Sequence, residues 1–262
     1  MIDAWRFIDT GPCSAAYNMA LDEAIAFAVR KDDAPPTLRL YGWDLPSVSI
    51  GCFQKISDVD INYCIRNHIP VVRRPTGGRA ILHGSEITYS FSVRTSNREF
   101  SKGLLDSYKK ISGAICSALS RTGFSPELRL LRELPALKTS LCFQSISYAE
   151  ITINKKKVVG SAQKRWADGL LQQGSIPLSI DRDRTVMVFK LQCAQGIEEL
   201  IIGLKEVFPQ MSTDELKEAI RTSFDEAFNI KLIASNPTHA EISLARELED
   251  QKYRSHQWNF KR

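Results

Sequence analysis

The chain has 262 residues, 43% hydrophobic, 25% charged and 9% aromatic, and carries a net charge of +5. That balance is average for a soluble globular protein and excludes a disordered, collagenous or disulfide-scaffold reading. The length suits one large domain, or a domain of about 200 residues with a small appendage, and allows a full hydrophobic core without staples.

The surface expected from this charge is mixed and mildly basic, which does not imply nucleic-acid binding but suits an acidic partner protein. No apolar run approaches the roughly 20 residues that a membrane span requires. The six cysteines, Cys13, Cys52, Cys64, Cys116, Cys142 and Cys193, are scattered without a CxxC pair, and the opening MIDAWRFIDTG lacks the basic and then apolar pattern of a signal peptide. Reduced, cytoplasmic thiols are expected, with neither membrane nor nucleic acid as a partner.

Residues 5–8 read as a strand. Ser14 then caps a helix in which Tyr17, Leu21, Ala24, Ile25 and Ala28 recur at helical spacing, ended by Pro35 and Pro36. Short strands follow at 37–41 and 47–50, a helix at 59–67 and a strand at 70–74. Residues 86–93 set Ile87, Tyr89, Phe91 and Val93 against small or polar neighbours, the period of a half-buried strand. A helix near 102–122 presents Leu105, Tyr108, Ile111, Ile115 and Leu119 on one side. After an irregular stretch come a strand at 148–153, a turn at 154–156, a strand through Val158 and Val159, and another at 170–180.

Capping boxes at Ser212 with Glu215 and Thr238 with Glu241 open helices at 213–228 and 239–253. Strands mix with helices without regular βαβ alternation, so the expected class is α+β, a mixed β-sheet flanked by helices. The expected organisation is a main catalytic domain at 1–190 and a small C-terminal helical subdomain at 191–262 packed against it.

Three places can carry chemistry. In the run from Arg73 to His83, Gly77 and Gly78 let backbone approach a ligand and can turn N–H groups toward a carbonyl oxygen, with Arg73 and Arg74 adding charge; the bland alternative is a tight hairpin. In the run from Lys157 to Gln163, strand alternation sends Lys156 and Lys157 to opposite faces, so one ammonium can point inward. Cys142 lies in an irregular connection, where functional groups concentrate, whereas Cys64 and Cys116 lie in helices and suit packing. His68, His83, His239 and His256 show no metal-ligand spacing, so no metal is expected.

The motifs WRFIDTGPCSAAYNMALDEA, LRLYGWDLPSVSIGCFQ, RRPTGGRAILHGSEITYS, LCFQSISYAEITINKKKVVGSAQKR, LLQQGSIPLSID and WNFKR occur in order over nearly the whole chain. Together they resemble the lipoate–protein ligase and octanoyltransferase superfamily, whose fold is shared with biotin ligases, and within it the cysteine-dependent octanoyltransferases. The resemblance implies transfer of octanoate from acyl carrier protein to a lysine of the glycine-cleavage H protein, with no cofactor. It matches Cys142 to the acylated cysteine and Lys157 to the lysine held to lower that thiol's pKa. It also implies substrate binding by Arg73, Arg74, Gly77, Gly78, His83, Gly160, Ser161 and Ala162. Gln173 departs from the family, which often has histidine there, so no acid–base role follows at that position.

An apolar slot for the acyl chain is expected near Trp43, Leu45, Ile81 and Tyr89. The competing readings are an ATP-dependent lipoate ligase, an amidotransferase between lipoyl domains, and a silent acyl- or carrier-binding module.

Overall fold

The computed structural model describes residues 3–130 and 148–261. Its first half runs β1 (Asp3–Cys13), α1 (Ala15–Lys31), β2 (Thr37–Trp43), β3 (Ser47–Ile50), α2 (Ile61–Arg66), β4 (Val71–Arg73), β5 (Ile81–His83), β6 (Glu86–Arg94), α3 (Leu104–Arg121) and β7 (Glu127–Arg129). The second half runs β8 (Glu150–Ile153), β9 (Lys156–Arg165), β10 (Gly169–Pro177), α4 (Arg182–Val188), α5 (Gln195–Leu200), α6 (Leu204–Val207), α7 (Thr213–Phe228), β11 (Ile230–Ala234), α8 (His239–Leu248) and α9 (His256–Asn259).

Eight strands form one mixed sheet in the order β11-β1-β2-β6-β10-β9-β8-β7, in which β1 runs parallel to β11 and β2 and the other pairings are antiparallel. The expected α+β class with a mixed sheet and flanking helices is the observed one. A second sheet, β4-β3-β5, stands apart from it.

The faces of the main sheet follow from strand alternation. On β6, Ile87, Tyr89, Phe91 and Val93 join the core beneath α3 and α7, where Trp5, Phe91, Phe100, Phe224 and Phe228 form an aromatic cluster. On the other face Ser90 bonds Asp22 of α1. Ser14 caps α1 through the Tyr17 N–H, as its sequence position predicts, and the helix closes at Asp32, which takes the left-handed conformation at φ 69°. Asn154 and Lys155 both have positive φ, giving the two-residue turn between β8 and β9.

The C-terminal seventy residues differ from the helical reading in two respects. They supply β11 as the edge strand beside β1, and Leu204, Leu216, Ile220, Phe224 and Leu232 belong to the same core as residues of β2, β6 and β10. Five residues between two helices carry too little periodicity to reveal this strand; only pairing with β1 buries Ile230 and Leu232. The expected helix at 239–253 also breaks at Leu248 into a single wide turn, which turns both Glu249 and Tyr253 inward.

Helix α8 is fastened to β1 by a buried two-pronged pair, in which Arg6 Nη1 and Nη2 donate to the two Glu241 oxygens. Glu241 Oε2 also accepts the Thr238 N–H at 2.7 Å, completing the capping box. Glu241→Ala should therefore destabilise the protein by about 3 to 5 kcal/mol, because it leaves a buried guanidinium uncompensated. Denaturant unfolding measures this; a loss below about 1 kcal/mol would contradict it.

Candidate active site

The site face of β9 is set by a register defect. Ile151 pairs with Val159, but Thr152 pairs with Lys157, so β9 carries one extra residue across from β8. Such a bulge reverses the alternation. Val158 and Val159 both join the core with Ile151 and Ile153, while Lys157 is sent to the opposite face with Glu150 and Thr152. Lys157 is 2% exposed and its ammonium is ion-paired with the Glu150 carboxylate, itself 4% exposed. Further along β9, Gly160 and Ala162 lie opposite Ser175 and Gln173 of β10, on the same face as Lys157.

The arginine–glycine loop is not a hairpin. Strands β4 and β5 do not pair with each other; both pair with β3, one parallel and one antiparallel. Arg74 gathers the loop around its guanidinium, donating to the carbonyls of Ser49 at 3.1 Å and of Gly77 and Arg79 at 2.7 Å each. Gly78 sits at φ +83°, and a Cβ on Gly51 would lie 1.9 Å from the Gly78 carbonyl, so the loop can fold down only onto a glycine. In a trans peptide the N–H points opposite the C=O. With the Gly77 and Gly78 carbonyls held inward, the N–H groups of Gly78 and Arg79 face the other way.

Arg73, expected on the substrate, is used elsewhere. Its guanidinium is fully buried and donates to the carbonyls of Gly51, Gln54, Trp258 and Asn259 at 2.7 to 3.2 Å. Its own carbonyl accepts the Trp258 indole N–H at 2.7 Å. It thus anchors α9 against β3 and β4, and it does not line either cavity described below. A side chain that satisfies backbone carbonyls cannot be told from a ligand-binding one by sequence position.

Two cavities meet at the site. The inner one is lined by Met19, Trp43, Arg74, Ile81, His83, Gly160–Ala162 and Gln173–Ser175. The outer one, about 320 Å³, extends from Trp43, Ile81, His83 and Ser175 past Leu45 to α4 and α5. Trp43, Leu45 and Ile81 therefore line cavities as expected, whereas Tyr89 lies behind Gly174 in the core, its hydroxyl bonded to Ser161 and Gln172. His83 stacks on Trp43 with ring centroids 3.8 Å apart, contacts Glu86 at 2.8 Å through Nδ1 and meets the Ser49 hydroxyl at 2.7 Å through Nε2. Burial pushes the Glu86 carboxyl up, but the His83 imidazole and the Thr88 and Ser175 hydroxyls outweigh it and hold the group below its ordinary range.

Gln173 and Asp22 were not singled out by sequence as parts of a common site, yet they form its base. Asp22 accepts hydrogen bonds from Arg39, Ser90, Tyr41 and Gln173 at 2.6 to 2.9 Å, all within the buried interior. Gln173 Oε1 in turn accepts the Thr76 hydroxyl at 2.8 Å, tying the arginine–glycine loop to α1. One donor and one acceptor are needed there, and a histidine ring also offers one of each.

Cys142 lies outside the described residues. Of the other cysteines, burial and the Asp60 charge push the Cys64 thiol up to about 11, and burial raises Cys116, so neither is poised as a nucleophile at neutral pH.

Two measurements check this geometry. Gln173→Leu should cost roughly 1 to 3 kcal/mol for each buried partner left unmatched, Asp22 and Thr76, whereas Gln173→His should stay within about 1 kcal/mol of the parent; equal losses in the two variants would argue against the relay. Because the Glu86 pKa is depressed on folding, its contribution is present above its ordinary value of 4.5 and is lost as pH falls through the lower folded value. Denaturant midpoints below that range should drop more steeply for the parent than for Glu86→Gln; parallel curves would contradict this.

The family model described as the lipoyl protein ligase A/B catalytic domain matches residues 14–225. The octanoyltransferase LipM of Carboxydothermus hydrogenoformans is 36% identical over 99% of this chain and 100% of its own, and that of Bacillus subtilis is 33% identical over 99% of each. Among solved structures, lipoate-protein ligase A bound with ATP superposes with a TM-score of 0.82 at 26% identity, covering 99% of both chains. A bi-partite lipoate protein ligase from Thermoplasma acidophilum, studied with its E2 lipoyl domain, gives 0.83 at 25% identity, covering 98% of this chain and 96% of that one. With the bulged lysine strand, the arginine–glycine loop and these full-length matches together, the chain belongs to the lipoate–protein ligase and octanoyltransferase family, on its LipM-like side.

Proposed function

We propose that the chain is an octanoyltransferase that carries octanoate on Cys142 as a thioester, from acyl carrier protein to a lysine of a lipoyl-domain protein such as the glycine-cleavage H protein. The observation that carries this reading is the buried Lys157, turned by the β9 bulge onto the face shared with Gly160 and Ala162. The LipM relatives, matched end to end, support octanoyl transfer.

The chemistry needs no cofactor, because the acyl group arrives activated. The Cys142 thiolate attacks the thioester carbon, a new C–S bond forms, and the carrier leaves as a thiolate that takes up one proton. The acceptor lysine, first converted from ammonium to neutral amine, then attacks the acyl-enzyme; the C–N bond forms, the bond between the acyl carbon and the Cys142 sulfur breaks, and one of the two amine protons is released as the thiolate is restored, the other staying on the amide nitrogen.

Magnitudes decide what Lys157 does. Lowering a thiol pKa from about 8.5 to about 7 raises the thiolate fraction at pH 7 from roughly 3% to roughly 50%. Nucleophilicity falls about fivefold in compensation, leaving a gain of about threefold. The Glu150 carboxylate on the ammonium reduces the field at the thiol further. Orientation of the thioester and stabilisation of its oxyanion, worth roughly 10² to 10³ in rate, is therefore the larger contribution. We read the Gly78 and Arg79 N–H groups as further donors to that oxygen, and the outer cavity of about 320 Å³, walled by Trp43, Leu45 and Ile81, as the slot that admits the acyl chain. Burying about seven carbons there contributes roughly 5 kcal/mol before losses.

Intact mass after mixing with octanoyl acyl carrier protein should show one hydroxylamine-labile octanoyl adduct, absent in Cys142→Ser. Lys157→Arg, which keeps the charge but changes its geometry, should slow adduct formation by roughly 10² to 10³. An adduct on another residue, full activity of Lys157→Arg, or amide formation from ATP and free octanoate without a thioester donor would overturn the reading.

A further inference from the structure

Two chains of hydrogen bonds end on one buried carboxylate oxygen, Glu86 Oε1. In the first, the Trp43 indole N–H donates to the Thr88 hydroxyl at 2.8 Å, and that hydroxyl donates to Glu86. In the second, Arg74 Nη1 lies 3.1 Å from Ser49 Oγ, Ser49 Oγ lies 2.7 Å from His83 Nε2, and His83 Nδ1 lies 2.8 Å from Glu86. Ser49, His83 and Arg74 are all buried, so water does not compete for these bonds.

The direction of the second chain is fixed at both ends. A guanidinium only donates, and a carboxyl group held below its ordinary range only accepts. The neutral imidazole therefore carries its proton on Nδ1, and the Ser49 hydroxyl donates to Nε2 while its oxygen accepts from Arg74. Every bond points from Arg74 toward Glu86, an alignment in which neighbouring bonds reinforce one another. Strand alternation puts the hydroxyl there: Val48 and Ile50 of β3 join an apolar cluster with Cys64 of α2 and Val188 of α4, so Ser49 faces the other way.

Arg74 holds the Gly77 and Arg79 carbonyls, and with them the N–H groups read above as oxyanion donors. Trp43 and His83 stack on each other and wall the acyl slot. We propose that Ser49 is a positioning residue for acyl transfer, its hydroxyl tying Arg74 and the arginine–glycine loop to the carboxylate that also fixes the slot wall. Loop and slot are thereby held in one register. This assignment rests on the thioester reading above.

In Ser49→Ala, Arg74 keeps its bonds to the backbone carbonyls of residues 49, 77 and 79, so the loop stays folded but loses its tie to Glu86. An interaction that serves only the oxyanion lowers the maximal rate when lost and leaves substrate binding alone.

Single-turnover acylation by octanoyl acyl carrier protein, followed by quenched-flow mass spectrometry, tests this. In Ser49→Ala the maximal rate should fall about tenfold or more, short of the roughly 10² to 10³ for outright loss of an oxyanion donor. The half-saturating donor concentration should stay within about twofold of the parent's. Ser49→Thr, which restores the hydroxyl, should recover most of the rate. Glu86→Gln should also lose rate, yet the Ser49→Ala/Glu86→Gln double variant should lose little beyond Ser49→Ala, since one chain cannot be broken twice. A parental maximal rate in Ser49→Ala, a change confined to half-saturation, no recovery in Ser49→Thr, or losses that multiply in the double variant would overturn the assignment. Should Ser49→Ala fail to fold, Glu86→Gln is compared with Thr88→Val, which breaks only the Trp43 branch: a larger loss of maximal rate in Glu86→Gln supports the relay, and an equal loss overturns it. A parent chain that takes no label sinks the thioester reading itself, whereas a labelled parent matched in rate by Ser49→Ala sinks the Ser49 assignment alone.

Discussion

A carboxylate cut off from water must be matched in full by donors, and Asp22 meets that condition four times over. Arg39 neutralises its charge within the interior, while Ser90, Tyr41 and Gln173 occupy the remaining acceptor positions. These donors come from β2, β6 and β10, so one side chain of α1 fixes the helix against three neighbouring strands. Its cost in desolvation is offset only while every partner is present. Tyr41 pays no part of that charge: burial first, and Asp22 second, hold its phenol well above the ordinary range, so it stays a donor. Through Gln173 and Thr76 the same cluster sets the height of the arginine–glycine loop.

The reactive face depends on a second local device, the extra residue in β9. Without it, Lys157 would share a face with Val159 and project into the hydrophobic core. With it, the strand keeps two successive valines inward and still delivers an ammonium to the opposite side. Glu150 then makes the buried charge tolerable and fixes its position. A compensated, immobile ammonium is a poor general attractor of anions but a good directional donor, which agrees with a role in placing a polar reaction centre.

Much of the scaffold was legible in the residues. Ser14 and the apolar spacing marked α1, the alternation of Ile87, Tyr89, Phe91 and Val93 marked β6, and Ser212 marked α7. The glycine pair marked the loop correctly but not its form, since β3 enters between β4 and β5 from earlier in the chain. Lys157 was legible as one of two alternatives; the bulge that selects it is a property of pairing between strands and leaves no period in either one. Arg73 and Gln173 were illegible for a similar reason. Their roles are set by carbonyls and hydroxyls distant in sequence, and composition cannot say whether an arginine meets a ligand or the backbone. The strand β11 is equally invisible, because its partner lies more than two hundred residues away.

The account turns on an acyl group that rests on the protein between donor and acceptor. Its most direct test is to isolate the octanoyl-enzyme, free it of donor, and mix it with an acceptor lipoyl domain in a single turnover. The octanoyl group should move to the acceptor lysine at a rate no slower than steady-state turnover, leaving the protein at its original mass. Acyl-enzyme that persists while fresh donor and acceptor are still converted at the full rate would contradict the account.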